Sequence, residues 1–226
     1  MQNRIIYFLF TSVSCIEIAA EYFNIIPLIY VAKPLLMPIL MVYVFYNVLG
    51  EEIKKLKVQL LAALLFSFLG DTLLMFSSKN ELFFLLGLSM FLIAHVFYIV
   101  LFFFHRKVLA NRLIIVLYFM VIITYYCLLM FLIHPKLGEF SIPVYLYGLV
   151  LCAMLFSSFI SGLEKVKSVV VIGAIFFVFS DSLIALKKFY LVQSSMFIQP
   201  SIMLLYALGQ FCIVLGLTKF LGKSRI

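Results

Sequence analysis

Eight apolar runs, each long enough to cross a bilayer, decide what this chain can fold into. They lie at 5–23, 25–48, 58–76, 82–104, 112–133, 142–160, 168–188 and 199–219. A helix needs about 20 mostly apolar residues to span the hydrocarbon core. The runs are continuously apolar rather than alternating, which excludes a transmembrane β-barrel. The connections are short and polar, as in GEEIKKLK at 50–57 and HRKVLAN at 105–111. The expected fold is all-α: a single transmembrane domain over residues 1–226, a polytopic membrane protein of eight transmembrane helices. Of the 226 residues, 66% are hydrophobic and 12% charged. Soluble domains run nearer half apolar and a quarter charged, so no room is left for one here.

The net charge of +8 does not point to nucleic acid, because the basic residues sit in the connections. Twelve of the seventeen Lys and Arg residues fall at the N-terminus, in the 2–3, 4–5 and 6–7 connections and in the C-terminal tail. Four fall in the other connections, and Lys33 lies within a run. The positive-inside rule then predicts that both termini are cytoplasmic. Arg4 ahead of an apolar run resembles a signal peptide, but the run continues past Glu17 and further spans follow, so a retained first helix is expected. The short connections and lack of extensions suggest a multi-pass protein of a bacterial inner membrane. Cys15, Cys127, Cys152 and Cys212 all fall inside spans without metal-type spacing, and read as small packing residues.

Two carboxylates stand where the solvent is expected to be lipid. Asp71 lies in LLFSFLGDTLLMF and Asp181 in IFFVFSDSLIALKKF. An acid at membrane depth costs about 2.5–3.5 kcal/mol on insertion scales, so it normally has a partner or a task. The two segments match: aligning the aspartates also aligns Phe66 with Phe176, Gly70 with Ser180, Thr72 with Ser182 and Leu73 with Leu183. In the helices that follow, Ala94-His95-Val96 can be set over Gly209-Gln210-Phe211. A weak 4+4 internal repeat follows, and an offset of four helices makes the halves parallel.

The other polar groups well inside spans are Glu17, Lys33 and His95, joined by Tyr206 and Gln210, one helical turn apart on one face. With the predicted topology most of them tend to one level, in the outer half of the membrane. Each also has a bland reading. Lys33 and Asp71 can be a structural ion pair, His95 can bond a neighbouring helix, and Glu21 can be merely interfacial. Pro34 and Pro38 are expected to kink the second span and free carbonyls near Lys33. A nucleotide-binding glycine loop, a GxSxG elbow and an HExxH zinc motif are all missing from the sequence. No metal or cofactor is therefore expected, and a water-using carboxylate chemistry is the enzyme reading left.

Ordered motifs on separate spans carry a resemblance. AKPLLM at 32–37, LLFSFLGDTLLM at 64–75, FLIAHVFYI at 91–99, GAIFFVFSDSLIALKKF at 173–189 and YALGQ at 206–210 resemble the YhhN family of eight-span membrane proteins. The resemblance covers nearly the whole chain. Its characterised members are lysoplasmalogenases, so it implies hydrolysis of a vinyl ether to a fatty aldehyde and a glycerophospho-headgroup. The partners implied are a lysophospholipid substrate and membrane lipid.

That chemistry asks for one protonated acid and one carboxylate around an oxocarbenium-like centre, as in glycoside hydrolysis. Asp71 and Asp181 are the expected catalytic pair. Lys33, His95, Tyr206 and Gln210 are the expected substrate-binding residues, for phosphate, water or headgroup. If the two carboxyls do not face one cavity, the acid–base reading falls. Buried carboxylates, a lysine and a repeat also describe a proton-coupled or lipid-translocating carrier. A structural or regulatory membrane subunit is the third class.

Overall fold

In the computed structural model, residues 2–50, 53–104, 112–191 and 195–222 are described. Eight α-helices follow in order: α1 (Gln2–Phe23), α2 (Ile26–Asn47), α3 (Lys54–Leu74), α4 (Glu81–Phe104), α5 (Arg112–Ile133), α6 (Ser141–Ile160), α7 (Lys167–Phe189) and α8 (Ile198–Gly222). Short 3-10 turns at His134–Lys136, Gly138–Phe140 and Glu164–Val166 complete the described elements, and no strand occurs among them. All eight helices are long and apolar enough to cross a membrane. The eight spans read from hydropathy appear in the same order. The largest difference is the start of α3, at Lys54 rather than 58, because its first turn carries Lys54, Lys55 and Lys57. The connection at 105–111 lies outside the described residues.

Packing closes a ring. Each of α1, α2, α3, α4, α6, α7 and α8 lies against the next, α8 returns to α1, and α2 also touches α8. Helix α5 stands outside the ring against α6 and α7. Its Leu113, Val116, Leu117, Val121, Leu128 and Phe131 point outward. On a membrane helix such an apolar face is lipid-facing, so its exposure costs nothing.

Small residues set the closest approaches. A Cβ added at Gly173 would stand 2.8 Å from the carbonyl oxygen of Gly209, and one at Gly209 would stand 3.0 Å from that of Gly173. Helices α7 and α8 therefore touch backbone to backbone, as lipid-embedded helices do where side chains are small. Gly70 makes room in α3 for the ring of Phe91 on α4. Helix α2 runs on through Pro34 and Pro38. Neither proline has an N–H to give, so the carbonyls four residues earlier, of Tyr30 and Pro34, lose their usual helical donors. Of the cysteines, Cys152 is buried and Cys212 half-buried, whereas Cys15 and Cys127 are exposed. The packing role expected of all four thus does not extend to those two.

Candidate functional site

The middle of the ring is polar because helices α3, α4 and α8 turn hydrogen-bonding side chains inward. Gln210 on α8 is fully buried. Its carbonyl oxygen accepts from the Tyr98 hydroxyl at 2.7 Å, and its amide donates to Ser67 Oγ at 3.0 Å. One side chain so ties α3, α4 and α8 together. His95, also fully buried, lies edge-on to Phe177 at 4.7 Å and to Tyr147 at 5.6 Å between ring centres. Its Nδ1 is bonded to the carbonyl of Phe91. A carbonyl can only accept, so Nδ1 carries a proton, and in the neutral ring Nε2 presents a bare lone pair. That Nε2 is buried with no partner among the described residues.

Above this layer, toward the end of the bundle where α1, α3 and α7 finish, the helices part around a cavity of about 320 Å³. That is within the range of small-ligand sites. Asp71 and Asp181 both line it, at 4% and 8% exposure. Each is held by a phenol from another helix. Tyr206 on α8 donates to Asp71 Oδ2 at 2.6 Å, and Tyr147 on α6 donates to Asp181 Oδ2. The residue after each aspartate turns back on its own helix: Thr72 donates to the Phe68 carbonyl at 2.8 Å and Ser182 to that of Val178 at 2.7 Å. The aligned motifs thus give matched local geometry, while the phenols come from unmatched helices.

The cavity wall changes character along its length. Lys33, Lys187, Lys188, Gln199, Ser77 and Ser78 line one part, with Lys188 and Ser78 exposed at its mouth. A narrow slot beside the cavity shares Leu74, Phe84, Phe91, Asp181 and Ile184 with it. The slot adds Leu88, Val144, Tyr147, Ala185 and Phe189, so it is apolar apart from Tyr147 and Asp181. Asp181 borders both spaces, whereas Asp71 borders only the wider one.

Of the residues singled out from sequence, Asp71, Asp181, Lys33 and Tyr206 meet at this cavity. His95 and Gln210 do not line it; they form the layer beneath. Lys33 is nearly buried and its Nζ lies 4.0 Å from Glu21 Oε1. Glu21 also accepts from Gln199 at 3.2 Å, and Lys187 donates to Gln199 Oε1 at 2.6 Å. Glu21 is therefore no idle interfacial acid, and it, not Asp71, takes the ion pair with Lys33. Glu17 on α1 is fully buried, and neither of its carboxyl oxygens has a partner among the described residues.

Tyr147 and the pair Lys187 and Lys188 escaped the sequence reading. Tyr147 looks like one more aromatic in an apolar helix, and only a tertiary contact reveals it. The paired lysines ending α7 read as topology signals, and their place six and seven residues beyond Asp181 is the one hint the sequence holds. No group of three or more His, Cys, Asp or Glu side chains suited to a metal ion comes together among the described residues.

Fold and site together define a polytopic helical membrane protein with two buried carboxyls facing one internal cavity. Residues 28–217 match the YhhN family, most of the chain, and the chain belongs to that family. None of the curated proteins and none of the solved structures compared with the chain matches it.

Proposed function

We propose that the protein is a membrane-embedded hydrolase that cleaves the vinyl ether bond of a lysoplasmalogen, with an ethanolamine or choline headgroup, to a fatty aldehyde and the glycerophospho-headgroup. The observation that carries this reading is that Asp71 and Asp181 line one cavity that is cationic at its mouth and runs into an apolar slot. A single-chain amphiphile has that same order: anionic headgroup, reactive ether, apolar chain.

The order also distributes the roles. Protonation of a vinyl ether occurs on the carbon farther from the oxygen, the chain side. The slot, of about 40 Å³, takes the chain carbons next to the double bond, and Asp181 borders it, so Asp181 delivers that proton. The electron pair of the double bond forms the new C–H bond, and positive charge is shared between the other carbon and the ether oxygen. Asp71 takes a proton from water as the water oxygen bonds to this carbon, giving a hemiacetal. Lys33 lines the same cavity as Asp71. In the collapse, Asp181 takes the hemiacetal hydroxyl proton, the C–O bond breaks, and Asp71 returns its proton to the departing alcohol. Both carboxyls end as they began. General acid–base help of this kind contributes about 10²–10⁴-fold, and charge stabilisation in a dry site adds to it.

Purified Asp71→Asn and Asp181→Asn, assayed for aldehyde release in detergent, test the pair. Loss of turnover is expected in both; a folded variant that keeps wild-type turnover removes that aspartate from the mechanism.

The unpartnered carboxyl of Glu17 favours a second reading, a proton-coupled or lipid-translocating carrier, because intramembrane acids without partners mark proton paths. A carrier moves intact lipid across liposomes, and a hydrolase yields aldehyde without a bilayer. The topology proposed with the hydrolase has both termini cytoplasmic, so the cavity opens on the opposite side, in a bacterial inner membrane. A 4+4 parallel repeat is proposed on the matched Thr72 and Ser182 bonds and on Gly70 and Ser180, which each meet the following helix.

A further inference from the structure

We propose that Lys188 is the anion-binding residue of the cavity mouth, and that it makes the site select single-chain lipids carrying a phosphodiester over their uncharged counterparts. The kinetic part of this proposal rests on the hydrolase reading; the binding part stands on the geometry of the mouth alone.

Three lysines line the cavity, and their surroundings differ. Lys33 lies beside Glu21, and Lys187 is bonded to Gln199, which itself bonds to Glu21. These two cations thus share one carboxylate through a polar chain. The contacts of the Lys188 ammonium among the described residues are aromatic. It stands 4.4 Å from the ring centre of Phe84, 5.2 Å from Phe140 and 5.7 Å from Phe189. The rings meet one another at 5.7–5.9 Å. They come from α4, from the 3-10 turn ahead of α6, and from α7, so three elements fix the position of the ammonium.

Aromatic faces attract a cation through the ring quadrupole but accept no conventional hydrogen bond from it. The three N–H donors of Lys188 therefore remain available to an oxygen anion. The place is specific as well. Phe84 lines both the cavity and the slot, and Phe189 lines the slot. An anion at Lys188 thus sits where polar wall gives way to apolar wall, with Ser77 and Ser78 lining the same cavity. A phosphate tethered to one hydrocarbon chain satisfies both surfaces at once. A phosphate without a chain, or a chain without a phosphate, satisfies one.

Lys188→Met keeps the stem and removes the charge; Lys188→Arg keeps charge and ring stacking. Two substrates are compared, 1-alkenyl-glycerophosphoethanolamine and 1-alkenylglycerol, with purified protein in detergent. For the phosphate-bearing substrate, Lys188→Met is expected to raise KM by about 10–100-fold, the loss of one charge-assisted hydrogen bond, with kcat retained. KM for 1-alkenylglycerol is expected to stay unchanged, and Lys188→Arg to restore the difference. An equal rise for both substrates, or none for either, overturns the proposal.

Binding is read separately as the thermal-unfolding shift given by acyl lysophosphatidylethanolamine, by monoacylglycerol and by inorganic phosphate. The phosphate lipid is expected to raise Tm most, and Lys188→Met to erase that excess. The same Lys188-dependent shift from inorganic phosphate alone overturns the assignment to a lipid. If wild-type protein releases no aldehyde from either substrate but keeps the Lys188-dependent Tm shift, the reaction falls and the anion site stands. Aldehyde release with no Lys188 dependence in either readout has the opposite meaning.

Discussion

Asp71 and Asp181 differ less in their own surroundings than in what lies beyond them. Each accepts a phenol hydroxyl, from Tyr206 and Tyr147, and each is nearly sealed from the exterior. A hydrogen bond to a charged group is worth about 1.5–3 kcal/mol, and each aspartate is charged at one stage of the proposed cycle. On the proposed mechanism, Tyr206→Phe and Tyr147→Phe should each lower kcat for aldehyde release by about 10–100-fold while the protein still folds. Unchanged kcat in either would make that phenol a packing group. Gln210 makes the contrasting case. It is polar, buried and inside a family-like motif, yet both of its ends are used by Tyr98 and Ser67. Gln210→Leu should cost about 1–3 kcal/mol of stability by stranding those partners. Activity per folded molecule should survive, as measured by detergent unfolding alongside turnover; loss of turnover at full stability would return Gln210 to the site.

At the scale of elements, α7 and α8 touch backbone to backbone because two glycines face each other. Gly209→Val adds a branched side chain where even a Cβ would stand 3.0 Å from the Gly173 carbonyl. Such overpacking costs about 1–3 kcal/mol, and it should also part Tyr206 from the α7 side of the cavity. The expected result is a lower unfolding temperature with a larger loss of turnover than Gln210→Leu produces. A wild-type unfolding temperature would mean that the pair is looser than its backbone contact implies. Helix α5 lies at the other extreme. It stands outside the ring, and its outward residues are those that lipid satisfies. Helix α5 is the most apolar of the eight spans and α8 is less so. The two helices meet different surroundings: an apolar exterior around α5, and polar partners from neighbouring helices around α8.

For the whole molecule, a linked cluster of charged and amide side chains collects at one end. Glu21, Lys33, Lys187, Lys188 and Gln199 stand together near the ends of α1 and α7 and the starts of α2 and α8. The charge bias of the connections predicts that this end is outside the cytoplasm. A reporter fused to the C-terminus should therefore behave as cytoplasmic: a green fluorescent fusion bright, an alkaline phosphatase fusion inactive. The reverse pattern would turn the cavity toward the cytoplasm and change which leaflet supplies its lipid.

Hydropathy alone was enough for the eight spans, because each must satisfy its backbone internally and show an apolar surface to lipid whatever its neighbours are. The same reasoning singled out Asp71, Asp181, Lys33 and Tyr206, which line one cavity in the structure, since polar groups in such helices are costly enough to stand out. Sequence does not tell a polar residue facing a cavity from one clamping helices together, and His95 and Gln210 lie in the layer beneath the cavity. It could not pair Lys33 with Glu21 rather than Asp71, because that choice depends on how α1 and α2 are rotated against each other. Nor could it show that Lys188 rests on three rings drawn from separate elements. Span length and depth are properties of one helix in its solvent. Direction within the bundle belongs to the packing of several helices, and only the tertiary structure decided which wall each side chain faces.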